Sequence, residues 1–437
     1  FWGWAKNQPR SSSKITFVHL QEHVASNNAS NQVLTKTLTM ENFTVYNPVR
    51  LKFGPGTVDT VGQDLAEEGH QSVLILLGQG SARRSGLLDR IEAQLLTAGL
   101  SWEIFEGIRP NPVYEDADRA VQRAKAMKAD ALLAVGGGSV IDTAKAVAAG
   151  AYVEHSVWDF YAGGAAKPSK ALPLYVVLTL AATGTEMNRA TVLQNNATGQ
   201  KRGWGNEHLF PKISYLDPLL THTVPAHYTA YGVADLMAHT LEQYFSPDFS
   251  PLSDAFAVQV IREAMHWGYK AVRNGNDAEA RQQVLWLSTV ALNGTLIAGK
   301  RRGDFGVHSV EHVLSALFDI AHGAGLSVVY PAWIRHFGPA FLPKLEALEQ
   351  ACMPSMFEIP ELASLLQNAA HEGSTIPFVN LLEAFFEAIG TPTRLSQLNL
   401  GPETHSGILE ALVKHKATGN YFDIQEPDHR RILALMA

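Results

Sequence analysis

The 437-residue chain holds one cysteine, Cys352, so it has no intrachain disulfide and no Cys-x-x-Cys metal site. That count fits a reducing compartment, and the cytoplasm is the expected location. No apolar run approaches the ~20 residues needed to cross a bilayer. The longest, near residues 172–182, is interrupted, so a membrane is not an expected partner. An excess of basic charge is also missing. Lys and Arg total 35 against 42 Asp and Glu, for a formal net charge of -7, which argues against nucleic acid as the main partner. What is present, 46% apolar residues with both charge signs dispersed, describes a globular protein long enough for two domains.

The first 39 residues stand apart. Residues 1–8 are aromatic without pattern, residues 11–13 are serines, and residues 27–31 are rich in Asn, Ser and Ala. Lys6, Arg10 and Lys14 precede the first acid, Glu22, in weak likeness to a transit peptide, but no apolar core of a secretory signal follows. Residues 1–39 are expected to be a disordered or non-native leader, with globular patterning from Met40.

From Phe43 to Phe53 apolar and polar residues alternate, predicting a half-buried strand pair that ends at Gly54-Pro-Gly56. Short continuous apolar runs at 72–77, 131–135 and 174–180, with a strand at 102–105, alternate with helical patterns at 58–68, 86–98, 116–128 and 140–149. Strand, glycine turn and helix in repetition predict a doubly wound, Rossmann-like α/β domain over residues 40–218. After Asp217-Pro218 the period is helical, at 230–245, 254–272, 278–298, 309–317 and 326–336 among others. An all-α domain is expected over residues 219–437.

Within that half, Gly232-Val-Ala-Asp235-Leu-Met-Ala-His239 places a carboxylate and an imidazole four residues apart, on one face of an apolar helix. Such a pair forms a structural hydrogen bond or supplies two ligands of a metal ion. The second reading needs further donors, and His308, His312 and His322 compete for the two remaining positions. His308 and His312 are themselves four residues apart, so a His239, His308 and His312 site is conceivable. One carboxylate with imidazoles suits Fe(II), Zn(II), Co(II) or Ni(II).

In the α/β half, Gly136-Gly-Gly-Ser139 lies between a buried strand and a helix that opens with Asp142 and Lys145. Glycines there let a pyrophosphate approach the free N–H groups of the helix start. The turn Gly78-Gln79-Gly80-Ser81-Ala82-Arg83-Arg84 contains no acid to hold ribose hydroxyls, and its serine and arginines accommodate a 2′-phosphate. NADP(H) is therefore favoured over NAD(H).

Together, Pro110-Asn-Pro112, Gly136-Gly-Gly-Ser-Val-Ile-Asp142, Ala182-Thr-Gly-Thr-Glu186, Asp217-Pro218, Asp235…His239 and His308…His312…His322-Gly resemble the iron-containing (group III) alcohol dehydrogenases. The closer likeness is to their butanol dehydrogenase and NADPH-dependent aldehyde reductase branch, and it covers Met40 to the C-terminus. The resemblance implies a dehydroquinate synthase-like fold and an Fe²⁺ or Zn²⁺ ion on Asp235, His239, His308 and His322. His312 then lies beside the metal as a candidate proton relay or substrate contact. Gly78, Gln79 and Ser81 would meet the adenosine ribose and its phosphate, and Asn111 with Gly136, Gly137, Gly138 and Ser139 the pyrophosphate. Asp142 belongs to the same fingerprint. Thr179, Thr183 and Asn188 would line the way to the nicotinamide, and Lys201 would lie near the cofactor ribose. The implied activity is reversible hydride transfer between a primary alcohol or aldehyde and the dinucleotide, in a homodimer. Lys300-Arg-Arg-Gly-Asp304 is more charged than this branch leads one to expect and bears on the substrate mouth. The competing expectations are a dehydroquinate-synthase-like lyase, a maleylacetate-type reductase, a metal hydrolase without nucleotide, or a non-catalytic nucleotide- or metal-binding protein.

Overall fold

A computed structural model describes residues 39–371 and 376–437; residues 1–38, nearly all of the expected leader, lie outside the described residues. Among the described residues eight strands are formed: β1 (Arg50–Phe53), β2 (Ser72–Leu77), β3 (Ser101–Phe105), β4 (Ala131–Gly136), β5 (Leu174–Leu178), β6 (Ala190–Asn195), β7 (Gln200–Gly205) and β8 (Ile213–Leu216). Six of them make one parallel sheet in the order β1-β8-β5-β4-β2-β3. The continuous apolar runs follow from burial of both faces. Val73, Ile75 and Leu77 of β2 pack with Val61, Leu88 and Ile91 on one side. Leu74 and Leu76 pack with Ala117, Ile141 and Val147 on the other.

Strand order reverses between β2 and β4, because β2 has β3 on one side and β4 on the other. Crevices outside the carboxyl ends of strands at such a reversal are where open α/β sheets bind ligands. The Gly78 turn follows β2 there and the Gly136–Ser139 turn closes β4.

Besides β8, a strand not placed from the sequence, two features differ from the sequence-based expectation. Of the strand pair expected from Phe43 to Phe53, only β1 forms. The alternation upstream finds no partner strand, and Phe43, Val45 and Tyr46 stay exposed. Asn47 instead ties the segment down by donating to the carbonyls of Met187 and Asn293, at 2.8 and 3.2 Å. The second difference is an antiparallel hairpin, β6–β7, that the sequence did not announce. β7 reads Gln-Lys-Arg-Gly-Trp-Gly, with no apolar alternation to mark it.

Beyond β8 and a short 3₁₀ turn the described chain is helical from Ala226 onward, apart from short 3₁₀ turns and connections. The helix Ala226–Tyr244 is buried at every position from Gly232 to Tyr244, which makes it the axis of this half. The carbonyls at its end are satisfied by two lysines: Lys300 donates to Gln243 O, and Lys344 donates to Tyr244 O and Ser246 O. Cations at a helix C-terminus also complement its dipole. Both ammoniums share Asp254, at 2.6 and 3.2 Å. The helices Gly306–Phe318 and His322–Phe337 pack beside it, and the turn between them carries Asp319 and Ile320. Among the described residues no helix is long and apolar enough to cross a membrane.

Candidate active site

Three helices bring one carboxylate and three imidazoles together. Asp235 and His239 sit one turn apart on the axial helix, with Asp235 Oδ1 3.4 Å from His239 Nδ1. The same oxygen is 3.7 Å from His308 Nε2 and 3.8 Å from His322 Nε2. The His239 and His308 rings stack with centroids 4.6 Å apart, and His308 and His322 are 5.2 Å apart. Asp235 Oδ1, His239 Nδ1 and His308 Nε2 are buried, and none of the three takes part in a hydrogen bond. Buried polar atoms without partners are costly. Three of them converging on one space fit a cation, and the donor set fits a divalent first-row metal.

Two further carboxylates orient this set, and sequence reasoning missed both. Glu242, fully buried, accepts from the backbone N–H of Val307 and His308, at 2.8 and 3.2 Å, and pairs with His308 Nδ1. Glu311, also fully buried, pairs with His322 Nδ1 and accepts from Ser315 Oγ. A carboxylate on Nδ1 fixes the ring and leaves Nε2 as the ligand atom. Burial opposes ionisation of Glu311, but His322 and Lys201 outweigh it and hold the carboxyl at about 2. Burial likewise disfavours a charged His308, yet Glu242 and Asp235 lift its pKa to about 10. Burial drives His239 the other way, to about 3. The available signal was a repeat, His239-Thr-Leu-Glu242 and His308-Ser-Val-Glu311.

His312 lines the same space, its ring 5.6 Å from His322 and 6.2 Å from His308. It is held well below the ordinary histidine pKa by burial first and the charge of Lys201 second. Glu311, His312 and His322 also bring their ligand atoms within 4.8 Å of one another. The Lys201 ammonium, 3.7 Å from Glu311 Oε2, disfavours a second cation there.

The histidines open onto a cleft of about 1350 Å³ between the sheet and the helices. Asn111, Gly138, Ser139, Asp142, Thr183, Asn188 and Lys201 line its other wall. Gly138 opens the helix Gly138–Gly150, and a Cβ on it would lie 2.5 Å from Thr183 Cγ2, so the close approach requires glycine. Ser139 Oγ donates to Pro110 O. Asn111 accepts from Lys201 Nζ at 3.1 Å. Asp142 and Asn188 are engaged in holding the segment after β5. Asp142 accepts from Thr185 Oγ1 and Val192 N, and Asn188 Oδ1 from Lys145 Nζ. Lys145, buried at 0% exposure, also donates to the carbonyls of Thr185, Asn188 and Ala190. Gly78, Gln79, Ser81, Gly136, Gly137 and Thr179 do not line this cleft. They sit at the ends of β2, β4 and β5, where Thr179 N donates to Gly136 O. Arg83 is occupied by Glu106 at 2.6 Å, and Arg84 donates to Gln79 O across the turn.

The charged run before His308 divides its work. Lys300 is spent on the axial helix, as above, and Arg301 forms a two-pronged bond to Asp248, at 3.0 and 2.7 Å. Arg302 and Asp304 line the cleft, where Arg302 donates to Asn420 O. The buried Asp304 carboxylate anchors the C-terminal loop by accepting from the N–H groups of Gly306, Tyr421 and Phe422.

Known proteins share the sequence pattern and fold that carry this site. Residues 48–218 match the family model for iron-containing alcohol dehydrogenase, and residues 229–437 match that of the same family's C-terminal region. The chain belongs to the iron-containing alcohol dehydrogenases. It is 37% identical to a probable NADH-dependent butanol dehydrogenase of Bacillus subtilis, over 90% of this chain and 99% of that protein. It is 32% identical, with the same shares covered, to the NADPH-dependent aldehyde reductase YqhD of Escherichia coli. The crystal structure of NADH-dependent butanol dehydrogenase A from Thermotoga maritima superposes with a TM-score of 0.83 at 36% identity, covering 92% of this chain and 100% of that one. The chain is thus an oxidoreductase of the butanol dehydrogenase and aldehyde reductase branch, in a family that uses a nicotinamide dinucleotide and a divalent metal.

Proposed function

We propose that this iron-type dehydrogenase reversibly interconverts a primary alcohol and its aldehyde, using NADP(H) and one Fe²⁺ or Zn²⁺ ion held by Asp235, His239, His308 and His322. The observation that carries the ligand set is the convergence of three buried, unpartnered ligand atoms, with His322 Nε2 3.8 Å from the shared Asp235 oxygen. When bound, the metal supplies a Lewis acid for the carbonyl oxygen and the dinucleotide supplies the hydride.

The chain's own residues do the rest. Glu242 and Glu311 keep the His308 and His322 rings aimed. The helix start at Gly138 and Ser139 meets the dinucleotide phosphates with free N–H groups. Asn111 and Lys201 hold the facing wall, and the Lys145 cage shapes Thr183 to Asn188 along the way to the nicotinamide. His312, which lines the cleft beside His308 and His322, is the proton relay in this reading. The Gly78–Ser81 turn, without an acid and with Arg84 folded over Gln79, supports NADP(H) over NAD(H). The enzyme works as a cytoplasmic homodimer in this reading.

Mixing protein, NADPH, Fe²⁺ or Zn²⁺ and butanal should consume reduced-nicotinamide absorbance, and NADPH should give the higher kcat/KM. His308→Ala and His322→Ala should each lose bound metal and turnover together. A variant that keeps both would refute the ligand set, and a clear NADH preference would refute the reading of the turn. Light scattering of the purified protein at a monomer's mass would remove the dimer.

A further inference from the structure

The two carboxylates behind the histidines are not equivalent. Glu242 touches only the metal side: His308 and the backbone that carries it. Glu311 touches both sides of the cleft. Its Oε2 pairs with His322 Nδ1 and also lies 3.7 Å from Lys201 Nζ, while Oε1 accepts from Ser315 Oγ. Lys201 comes from β7, on the wall opposite the histidines, and its side chain is 5% exposed. It donates to Asn111 Oδ1, and Asn111 in turn donates to Asp319 Oδ1 at 2.8 Å and to Ile320 O at 3.1 Å. Asp319 and Ile320 form the turn that leads directly into His322. A closed circuit therefore runs from the histidine through Glu311, Lys201 and Asn111 back to the histidine's own turn.

The space for this carboxylate is kept open by the neighbouring helix. A Cβ on Gly325 would fall 2.8 Å from both Glu311 Cγ and Glu311 Oε1. An ammonium this deeply buried also needs a charged partner, and Glu311 is the carboxylate that the structure pairs with it. We propose that Glu311 is a positioning residue shared by the metal histidine His322 and the dinucleotide-side lysine Lys201, so that one buried carboxylate couples metal binding to dinucleotide binding. This rests on the ligand and cofactor assignments above. Loss of the partner on either side leaves Glu311 to the other, so each ligand should sense whether the other site is intact.

The test uses full-length protein stripped with a chelator and then measured by two binding assays. Co²⁺ affinity is read by competition against a chromophoric chelator, and NADPH affinity by nucleotide fluorescence without metal. Glu311→Gln is expected to weaken Co²⁺ by about 10–100-fold and NADPH by at least about fivefold. Glu242→Gln should weaken Co²⁺ alone. Lys201→Met should weaken NADPH, and combining it with Glu311→Gln should add little further loss. Glu311→Asp keeps the charge near Lys201 but shortens the reach to His322, so it should recover NADPH binding and not Co²⁺ binding. If circular dichroism shows Glu311→Gln unfolded, Lys201→Met is read for Co²⁺ instead, and an unchanged Co²⁺ affinity there would overturn the sharing. Unchanged NADPH affinity in Glu311→Gln, or fully additive losses with Lys201→Met, would overturn the sharing. If wild-type protein binds no NADPH at all, the dehydrogenase reading itself is lost.

Discussion

Replacing Glu242 by glutamine should separate the fold from the metal site. Glu242 receives three donors, the backbone N–H groups of Val307 and His308 and the ring Nδ1 of His308. Glutamine can keep its carbonyl on the two amides, but its NH₂ then faces Nδ1. His308 must then leave Nδ1 unprotonated and hold its proton on Nε2, the atom aimed at Asp235. A ring protonated there is no longer a ligand. The lost bond is charge-assisted and worth about 1.5–3 kcal/mol, so metal-free Glu242→Gln should lose about that much stability. Metal affinity should fall about 10–100-fold, which is roughly 1.4–2.8 kcal/mol. Alanine would strand all three buried donors at about 1–3 kcal/mol each, a large part of the ~5–15 kcal/mol that holds a domain together. Glutamine is therefore the informative change. Denaturant unfolding of the stripped protein gives the first quantity and chelator competition gives the second. If Glu242→Gln folds and binds metal as tightly as wild type, the carboxylate does not set the tautomer and the argument fails.

Lys145→Met should cost about 3–5 kcal/mol, because it strips the cation from three main-chain carbonyls and leaves Asp142 uncompensated. Thermal unfolding should show that loss, with weaker NADPH binding as the segment from Thr183 to Asn188 loosens; unchanged melting would refute the cage. Burial opposes ionisation of Asp248, but Arg301 and Tyr421 outweigh it and hold the carboxyl at about 2, below its unfolded value of 3.8. The stabilisation is therefore complete above about pH 4 and is lost as pH falls through about 2. Asp248→Asn should cost about 1–2 kcal/mol at neutral pH, discounted for the half-exposed Arg301, and nothing well below pH 2. A cost that stays constant with pH would show that the ion pair is not its source. Arg84→Ala should lower the NADPH to NADH preference in kcat/KM, and an unchanged ratio would clear Arg84 of any part in it.

How much of this was legible in the sequence depended on how local each signal was. The strands β2, β4 and β5 could be read because burial on both faces writes a continuous apolar run, as in residues 72–77. The β6–β7 hairpin could not, since β7 earns its place through Lys201 and through pairing with β6 and carries no apolar face of its own. The same division runs through the site. Asp235 and His239 are neighbours on one helix, so their spacing of four already put them together. Glu242 lies three residues after His239, and Glu311 three after His308, a spacing that would assign each acid to the histidine of its own helix. Neither goes there. Glu242 reaches across to His308 on the helix Gly306–Phe318, and Glu311 to His322 on the helix His322–Phe337. Local spacing supplied the face on which each acid stands, and the packing of three helices decided which imidazole it meets. Such a chain of acids, each orienting a ligand on another helix, exists only once the helices are docked, so the metal site is a property of their packing and not of any single segment.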